Sequence, residues 1–483
     1  MAEQGLKDKT VRGVAWSAVD SIARYGITFL VSIVLARLLS PEEYGLIGII
    51  TIFITVFNGI VDGGFTNALI RKQNITDQDY NTAFITNLLV SVFLAVLLFF
   101  SSPLIAVFFN RDELTMLTRV MSVIVVVNGL AIVQKAKLTK NIDFKTQTKI
   151  TLIASVSSGL VGIVLALLGF GVWALVGQQI TNQSLNTFFL WFFSKWKPKL
   201  KFSVASFKDL WGFGWKLLVS GLIDSIWREI YQVVVGKFYS TATLGLYTRG
   251  QQFASLFSTN LTAVVQRVSY PVLSSIQDDK IRLKDAYQRV IKSTMLVTFA
   301  CMLGLAAISK SMVYVLIGEK WLPCVPMLQI ICFQMMLYPL HAINLNMLQV
   351  QGRSDLFLKL EIIKKTIGVI PLCLGIFIDI YWMLFGSVIV GFVSYLLNAY
   401  YSGPFLNYSV WEQIKDILPS FIISIIMALI VFVVGLLPIS PYVLLLIQLV
   451  VGGGVMILLC EIIKLPDYFE VKSIVYSIVN KKR

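Results

Sequence analysis

Apolar runs of about 20 residues recur from one end of this chain to the other, and that recurrence limits its fold more than any other feature. The runs 88–100 and 419–437, for instance, contain no charged residue at all. A hydrocarbon layer roughly 30 Å thick is crossed by about 20 helical residues. Only helices and closed barrels satisfy their own backbone hydrogen bonds in that layer. Barrel strands alternate polar and apolar positions, which these runs do not. The expected class is therefore an all-α integral membrane protein with about fourteen transmembrane helices. Charged residues make up 14% of the 483 residues, against about 25% in soluble domains.

The net charge of +15 would suit a nucleic-acid binder, but its placement does not. Lys and Arg gather in every second connection: the start, Arg71-Lys72, Lys135 to Lys149, Lys195 to Lys208, Asp278 to Arg289, Arg353, and the tail Lys481-Lys482-Arg483. The alternate connections, Pro41-Glu42-Glu43, Gly169-Phe170-Gly171 and Ser240-Thr241, are poor in positive charge. That asymmetry predicts an even number of crossings with both termini cytoplasmic. No removable signal segment is expected at the start. The weakest region is 309–324, read as a short interfacial helix on the outer side.

The block Asp20-Ser21-Ile22-Ala23-Arg24 recurs as Asp224-Ser225-Ile226-Trp227-Arg228. Arg37-Leu38-Leu39-Ser40 is echoed by Lys237-Phe238-Tyr239-Ser240, and Gly45-Leu46 by Gly245-Leu246. Two parallel six-helix halves follow, with a transport site expected between them. The expected division is an N-terminal lobe at 1–200, a second lobe at 201–403, and two extra helices with a cytoplasmic tail at 404–483. The helices are expected to include 44–70, 114–133, 290–308, 326–350 and 357–378. Gly63-Gly64 and Pro271 are points where a helix can bend. The aromatic and basic stretch Lys199 to Lys216 suits an amphipathic linker on the cytoplasmic surface.

Ionised groups inside membrane helices cost roughly 2.5–3.5 kcal/mol each on insertion scales, so they face a bundle interior or a wet cavity. Asp20 and Arg24 fall in the first helix, Asp62 in the second, Asp224, Arg228 and Glu229 in the seventh, and Arg267 in the eighth. Asp20 precedes Arg24, and Asp224 precedes Arg228, by one helical turn on one face. One reading is a self-compensating pair that stiffens each half. The other is a cationic lining for an anionic cargo, with Arg24, Arg228 and Arg267 as binding groups and Asp20, Asp62, Asp224 and Glu229 gating or coupling. Arginine's planar fork suits phosphate oxygens. Lys216, Arg249, Lys364 and Lys365 lie nearer helix ends and read as snorkelling charges. Amides concentrate in helix 6 (Gln179, Asn182, Asn186) and helix 8 (Gln252, Asn260), where they either glue helices or line a sugar-accommodating cavity.

The five cysteines have no metal or redox spacing, and His341 alone cannot build a metal site; it reads as a hydrogen-bonded residue inside a bundle. There is no phosphate-binding loop of the GxxxxGK[ST] type. No cofactor and no enzymatic site are expected.

Val14-Ala15-Trp16-Ser17, the block Ala36-Arg37-Leu38-Leu39-Ser40-Pro41-Glu42-Glu43-Tyr44-Gly45, Gly318-Glu319-Lys320-Trp321 and Gly352-Arg353-Ser354-Asp355 resemble the polysaccharide transporter family. That family sits within the multidrug, oligosaccharidyl-lipid and polysaccharide exporter superfamily, and the likeness is nearest to exporters of colanic-acid and teichuronic-acid type. The resemblance covers nearly the whole chain. It implies two six-helix lobes around a central cavity flanked by helices 1, 2, 7 and 8. It also implies flipping of undecaprenyl-diphosphate-linked sugar repeat units from the inner to the outer leaflet of the bacterial plasma membrane, by alternating access. The partners it implies are that lipid-linked oligosaccharide, membrane lipid, and polysaccharide polymerase and export machinery; nucleic acid is not among them. An ion-coupled drug or metabolite antiporter on the same architecture is the alternative, and a non-transporting scaffold a weaker one. Arginines beside the intramembrane aspartates favour an anionic lipid over a cationic drug.

Overall fold

A computed structural model describes residues 26–194, 196–199 and 201–480. Every regular element among them is helical. In chain order these are α1 (Gly26–Leu38), α2 (Pro41–Asp62), α3 (Phe65–Arg71), α4 (Asp77–Phe109), α5 (Glu113–Met121), α6 (Val123–Lys140), α7 (Phe144–Leu167), α8 (Val172–Ser194), α9 (Val204–Phe238), α10 (Thr241–Ser275), α11 (Lys280–Ile317), α12 (Val325–Met335), α13 (Tyr338–Val350), α14 (Ser354–Ile367), α15 (Val369–Phe377), α16 (Ile380–Ser402), α17 (Val410–Val434), α18 (Pro441–Ile462) and α19 (Pro466–Asn480). Short 3₁₀ turns occupy Glu319–Cys324 and Gly403–Leu406. Among the described residues, nine helical segments are long and apolar enough to cross a membrane. The fold class expected from the sequence, an all-helical membrane protein, holds.

Several expected helices are broken, each for a local reason. The span 44–70 divides at Gly63 and Gly64, whose φ values of 53° and 73° lie in the left-handed region that glycine enters without strain. A side chain on Gly64 would run into the Gly214 carbonyl of α9, so the break is also a packing site. The span 114–133 divides at Ser122, 326–350 at Met336-Leu337, and 357–378 at Gly368. The expected interfacial helix over 309–324 is confined to the 3₁₀ turn, because α11 continues to Ile317. At its other end α11 begins at Lys280, so most of the charged stretch read as a connection is helix. Its 38 residues span about 57 Å, well beyond a bilayer core of roughly 30 Å. Asp279 caps it by accepting from the Arg282 amide at 3.1 Å.

The chain divides into two compact units, Met1–Gly245 and Leu246–Arg483. In the first, α4 packs on α6, α7 on α8, and α2 on α9. Its core clusters around Phe65, Tyr80, Phe84, Val133 and Trp196. Trp196, just after α8, sets its ring centroid 6.0 Å from that of Tyr80 in a tilted contact and 6.1 Å from that of Phe84 edge to face. The linker that follows is held by side chains of α4: the Lys199 amide donates to Asn81 Oδ1 at 2.8 Å, and the Ser203 amide to Thr82 Oγ1 at 3.1 Å. A capping box starts α2, with the Ser40 amide donating to Glu43 Oε2 at 2.6 Å and the Glu43 amide to Ser40 Oγ at 3.4 Å.

The starts of α2 and α10 meet through the repeated glycines. A β-carbon on Gly45 would overlap the Thr241 carbonyl, and one on Gly245 would overlap the Pro41 carbonyl. The two contacts are reciprocal, because Pro41 and Gly45 occupy the repeat positions of Thr241 and Gly245. Glu42 closes this junction, accepting from the Thr241 hydroxyl at 3.1 Å and pairing with Arg111 at 3.3 Å.

In the second unit α11 packs on α12, α17 and α18. The Tyr287 hydroxyl of α11 donates to Asn344 Oδ1 of α13 at 2.9 Å, and the Ser402 hydroxyl donates to the same oxygen at 2.6 Å. Asp416 of α17 pairs with Lys292 of α11 at 3.0 Å and accepts from the Tyr408 hydroxyl at 2.7 Å. His341 is bonded to Asn398 at 3.3 Å inside this bundle.

Gly45→Ala and Gly245→Ala are expected to lower the thermal unfolding midpoint of the purified protein, by an overpacking cost of about 1–3 kcal/mol each. Gly453→Ala, whose β-carbon meets nothing, is expected to leave it in place.

Candidate functional site

Three helices are long enough to cross a membrane yet fall outside the strongly apolar set: α8 with 23 residues, and α9 and α10 with 35 each. Their polar residues are spaced to share a face. A helix surrounded by lipid has no reason to expose polar groups, so an exposed polar stripe at membrane depth marks contact with water.

On α9, Ser220, Asp224 and Arg228 follow one another at four-residue spacing, and all three are exposed. The next residue, Glu229, is half-buried and accepts from Gln232 Nε2 at 2.8 Å. Asp224 and Arg228 therefore share one exposed face of α9. Their repeat partners, Asp20 and Arg24, lie outside the described residues, and so does the side chain of Arg267.

On α10, Gln252 and Thr259 are exposed and Ser255 half-exposed, again on one face. The Ser255 hydroxyl donates to the Gln252 carbonyl at 3.1 Å, and the Thr259 hydroxyl to the Ser255 carbonyl at 2.5 Å. Asn260, on the same helix, sits differently. Its amide donates back to the Leu256 carbonyl at 2.6 Å, and it lines an apolar cavity of about 280 Å³ with Phe257 and Val264 of α10 and Val297 and Met302 of α11. That cavity has the character of a lipid-facing crevice rather than a sugar site.

The amides of α8 fall into two groups. Asn182 donates to Ser158 Oγ of α7 at 3.0 Å, and Gln183 to Asn128 Oδ1 of α6 at 3.2 Å, so these two join helices. Gln179 and Asn186 are half-exposed on the same helix. Asp62 ends α2 and accepts from the Thr66 amide at 3.3 Å and from the Thr66 hydroxyl, bridging the Gly63-Gly64 break into α3. Thr51, Thr55, Asn58 and Asp62 form a half-exposed line along α2, which packs on both α8 and α9.

Sequence reading passed over Arg249 as a snorkelling charge. The structure buries it to 3% exposure, with its guanidinium 5.2 Å from the Trp321 ring and Nη1 donating to Gln252 Oε1 at 2.7 Å. The signal was present in the Gly318-Glu319-Lys320-Trp321 motif, but nothing in the sequence joined the two. A separate cavity of about 570 Å³ is lined by Ser40, Glu42, Glu43, Glu113 and Trp173. Two of its carboxylates already serve the α2 cap and the Glu42–Arg111 pair. Outside the spans, Arg353 grips Asp355 through two bonds of 2.9 and 2.7 Å, which hold the Asp355 carboxyl down to about 2. No cluster of potential metal ligands occurs among the described residues.

The family described as polysaccharide biosynthesis protein matches residues 34–326. The teichuronic acid biosynthesis protein TuaB of Bacillus subtilis is 27% identical over 79% of this chain and 80% of its own. The succinoglycan biosynthesis transport protein ExoT of Rhizobium meliloti is 26% identical over 66% of this chain and 65% of its own. In fold, the chain is similar to the lipid II flippase MurJ in an inward closed conformation, with a TM-score of 0.74 at 16% identity, covering 93% of this chain and 98% of that one.

In a cysteine-free background, Gln252→Cys, Ser255→Cys and Thr259→Cys are expected to react readily with a water-soluble maleimide in permeabilised membranes. Phe257→Cys and Val264→Cys should react at least roughly tenfold more slowly, because thiolate forms only where water reaches it. Equal rates at all five positions would show that α10 has no separate wet face.

Proposed function

The chain belongs to the polysaccharide biosynthesis protein family, and from that membership we propose that it flips undecaprenyl-diphosphate-linked oligosaccharide repeat units from the inner to the outer leaflet of the bacterial plasma membrane by alternating access. The observation that carries the reading is the exposed polar stripe on α9, with Ser220, Asp224 and Arg228 at four-residue spacing. A diphosphate and its sugars are costly to move through hydrocarbon, because charged and hydrogen-bonding groups lose their water without replacement. The prenyl tail pays no such penalty and can remain in lipid. A protein that lowers this barrier must offer a cation to the diphosphate and hydrogen-bond partners to the sugars.

Arg228 supplies the cation in this reading, and its bidentate fork suits phosphate oxygens better than a lysine would. Arg24 and Arg267 are proposed to act with it. Gln252, Ser255 and Thr259 supply hydrogen bonds for sugar, with Gln179 and Asn186 of α8 as further candidates. Asp20, Asp62, Asp224 and Glu229 are proposed to gate or couple. Both termini are proposed to be cytoplasmic, following the basic connections. The work is displacement of a lipid, without a covalent step. The names of the relatives, and the fold shared with a lipid II flippase, support this reading over an antiporter of cationic drugs.

Purified protein in liposomes with a labelled undecaprenyl-diphosphate oligosaccharide is expected to raise its outer-leaflet fraction over time. Arg228→Ala and Arg24→Ala are expected to insert at normal level and to slow flipping at least about tenfold, the weight of one lost charged contact. Unchanged flipping in both variants would remove these arginines from the mechanism. A wild type that moves no lipid-linked sugar, but exchanges a cationic drug for protons or sodium, would favour the antiporter.

A further inference from the structure

Arg249 stands two turns into α10, where an arginine is costly to bury, and its surroundings give it a specific task. Its guanidinium lies 5.2 Å from the ring centroid of Trp321, which is itself fully buried in the turn Glu319–Cys324. Such a cation over an indole face is an attractive contact. The following residue, Gly250, lies against the backbone of Leu328 in α12, where a β-carbon would come within 3.3 Å of the amide nitrogen. Arg249 is therefore held from the α12 side, and it reaches the exposed stripe through one bond, Nη1 to Gln252 Oε1 at 2.7 Å.

That bond settles which way the Gln252 amide points. A side-chain amide normally offers an acceptor on one side and two donors on the other, and can turn over to suit a ligand. A guanidinium only donates, so it accepts nothing but the oxygen end as its partner. With Oε1 held by Arg249, the amide cannot turn over without losing that bond, and its NH₂ group is left to donate. One turn on, the pattern reverses. Ser255 and Thr259 spend their hydroxyl protons on backbone carbonyls, so their free lone pairs present acceptors. Along the stripe, the protein shows a donor first and acceptors after it.

We propose that Arg249 is a positioning residue that holds the Gln252 amide by its oxygen and leaves the NH₂ end to donate, so that this turn of α10 selects a saccharide presenting an oxygen acceptor there (a carboxylate or an acyl carbonyl) and, with a guanidinium beside it, disfavours one presenting an ammonium. The locked amide gains over a freely turning one because the orientation is already set before the sugar arrives. Its oxygen, already bonded to a guanidinium, is a poor acceptor for a second cation, which is what a protonated amino sugar would bring. The inference rests on transport of a lipid-linked saccharide, as proposed above.

The test uses full-length protein in liposomes with two probes, undecaprenyl-diphosphate-linked N-acetylglucosamine and its free-amine counterpart. Wild type is expected to flip the acetylated probe with a KM at least about tenfold lower. Gln252→Leu should raise that KM about tenfold with kcat little changed, and Gln252→Glu, which still accepts from Arg249 but shows an acceptor outward, should narrow or reverse the preference. Arg249→Lys should act in the same direction as Gln252→Leu, and the double variant should be no worse than either single one, since the arginine acts through the amide. Should Arg249→Lys fail to insert, the two Gln252 variants decide alone. Additive losses, or an unchanged KM and preference in Gln252→Leu, overturn the inference while leaving the flippase reading standing. A wild type that moves neither probe nor any other lipid-linked sugar overturns both.

Discussion

Hydrocarbon offers no hydrogen-bond partner, and the rest of this structure follows from that lack. A backbone amide in the bilayer must be satisfied within its own segment, so the apolar runs become helices. The same rule governs side chains. Where the structure exposes polar groups along a long helix, as at Asp224 and Arg228 or at Gln252 and Thr259, water must reach them. Where water is absent, polar groups find each other: Asn182 with Ser158, Tyr287 with Asn344. These polar residues thus sort into two populations, one binding helices together and one exposed along a helix.

Glycine supplies the second ingredient. Helices cannot approach closely through leucine side chains, and lipid gives no hydrophobic push to bring them together. The first turns of α2 and α10 come into contact because Gly45 and Gly245 leave their backbones bare against Thr241 and Pro41. The contact is reciprocal because the sequence itself is duplicated there. Gly63 and Gly64 solve a different problem, turning the chain between α2 and α3 where Asp62 can cap the second helix through Thr66.

Much of the candidate site was legible beforehand, because charge in an apolar segment is conspicuous. Asp224 and Arg228 needed only their spacing and their hydrophobic neighbours to be noticed. The amides were harder. Gln252 and Asn260 lie on the same helix, about 80° apart around its axis at 3.6 residues per turn, and look equally good in the sequence. Packing against α11 turned Asn260 to an apolar cavity and left Gln252 exposed. Arg249 was misjudged for the related reason that nearness to a helix end does not reveal burial. Trp321, 72 positions later, covers it.

The sequence by itself determined that the chain is an all-helical membrane protein, that short blocks recur about 200 residues apart, and which helices carry charge among apolar neighbours. These are properties of composition and period, and each residue carries them into any environment. The tertiary structure alone decided where the long spans break, how far α11 extends past the bilayer, and which polar residues meet water or one another. Those outcomes depend on the rotation of each helix about its axis. That rotation is set by the summed packing of its neighbours, many of them distant in the chain, and no local pattern encodes it.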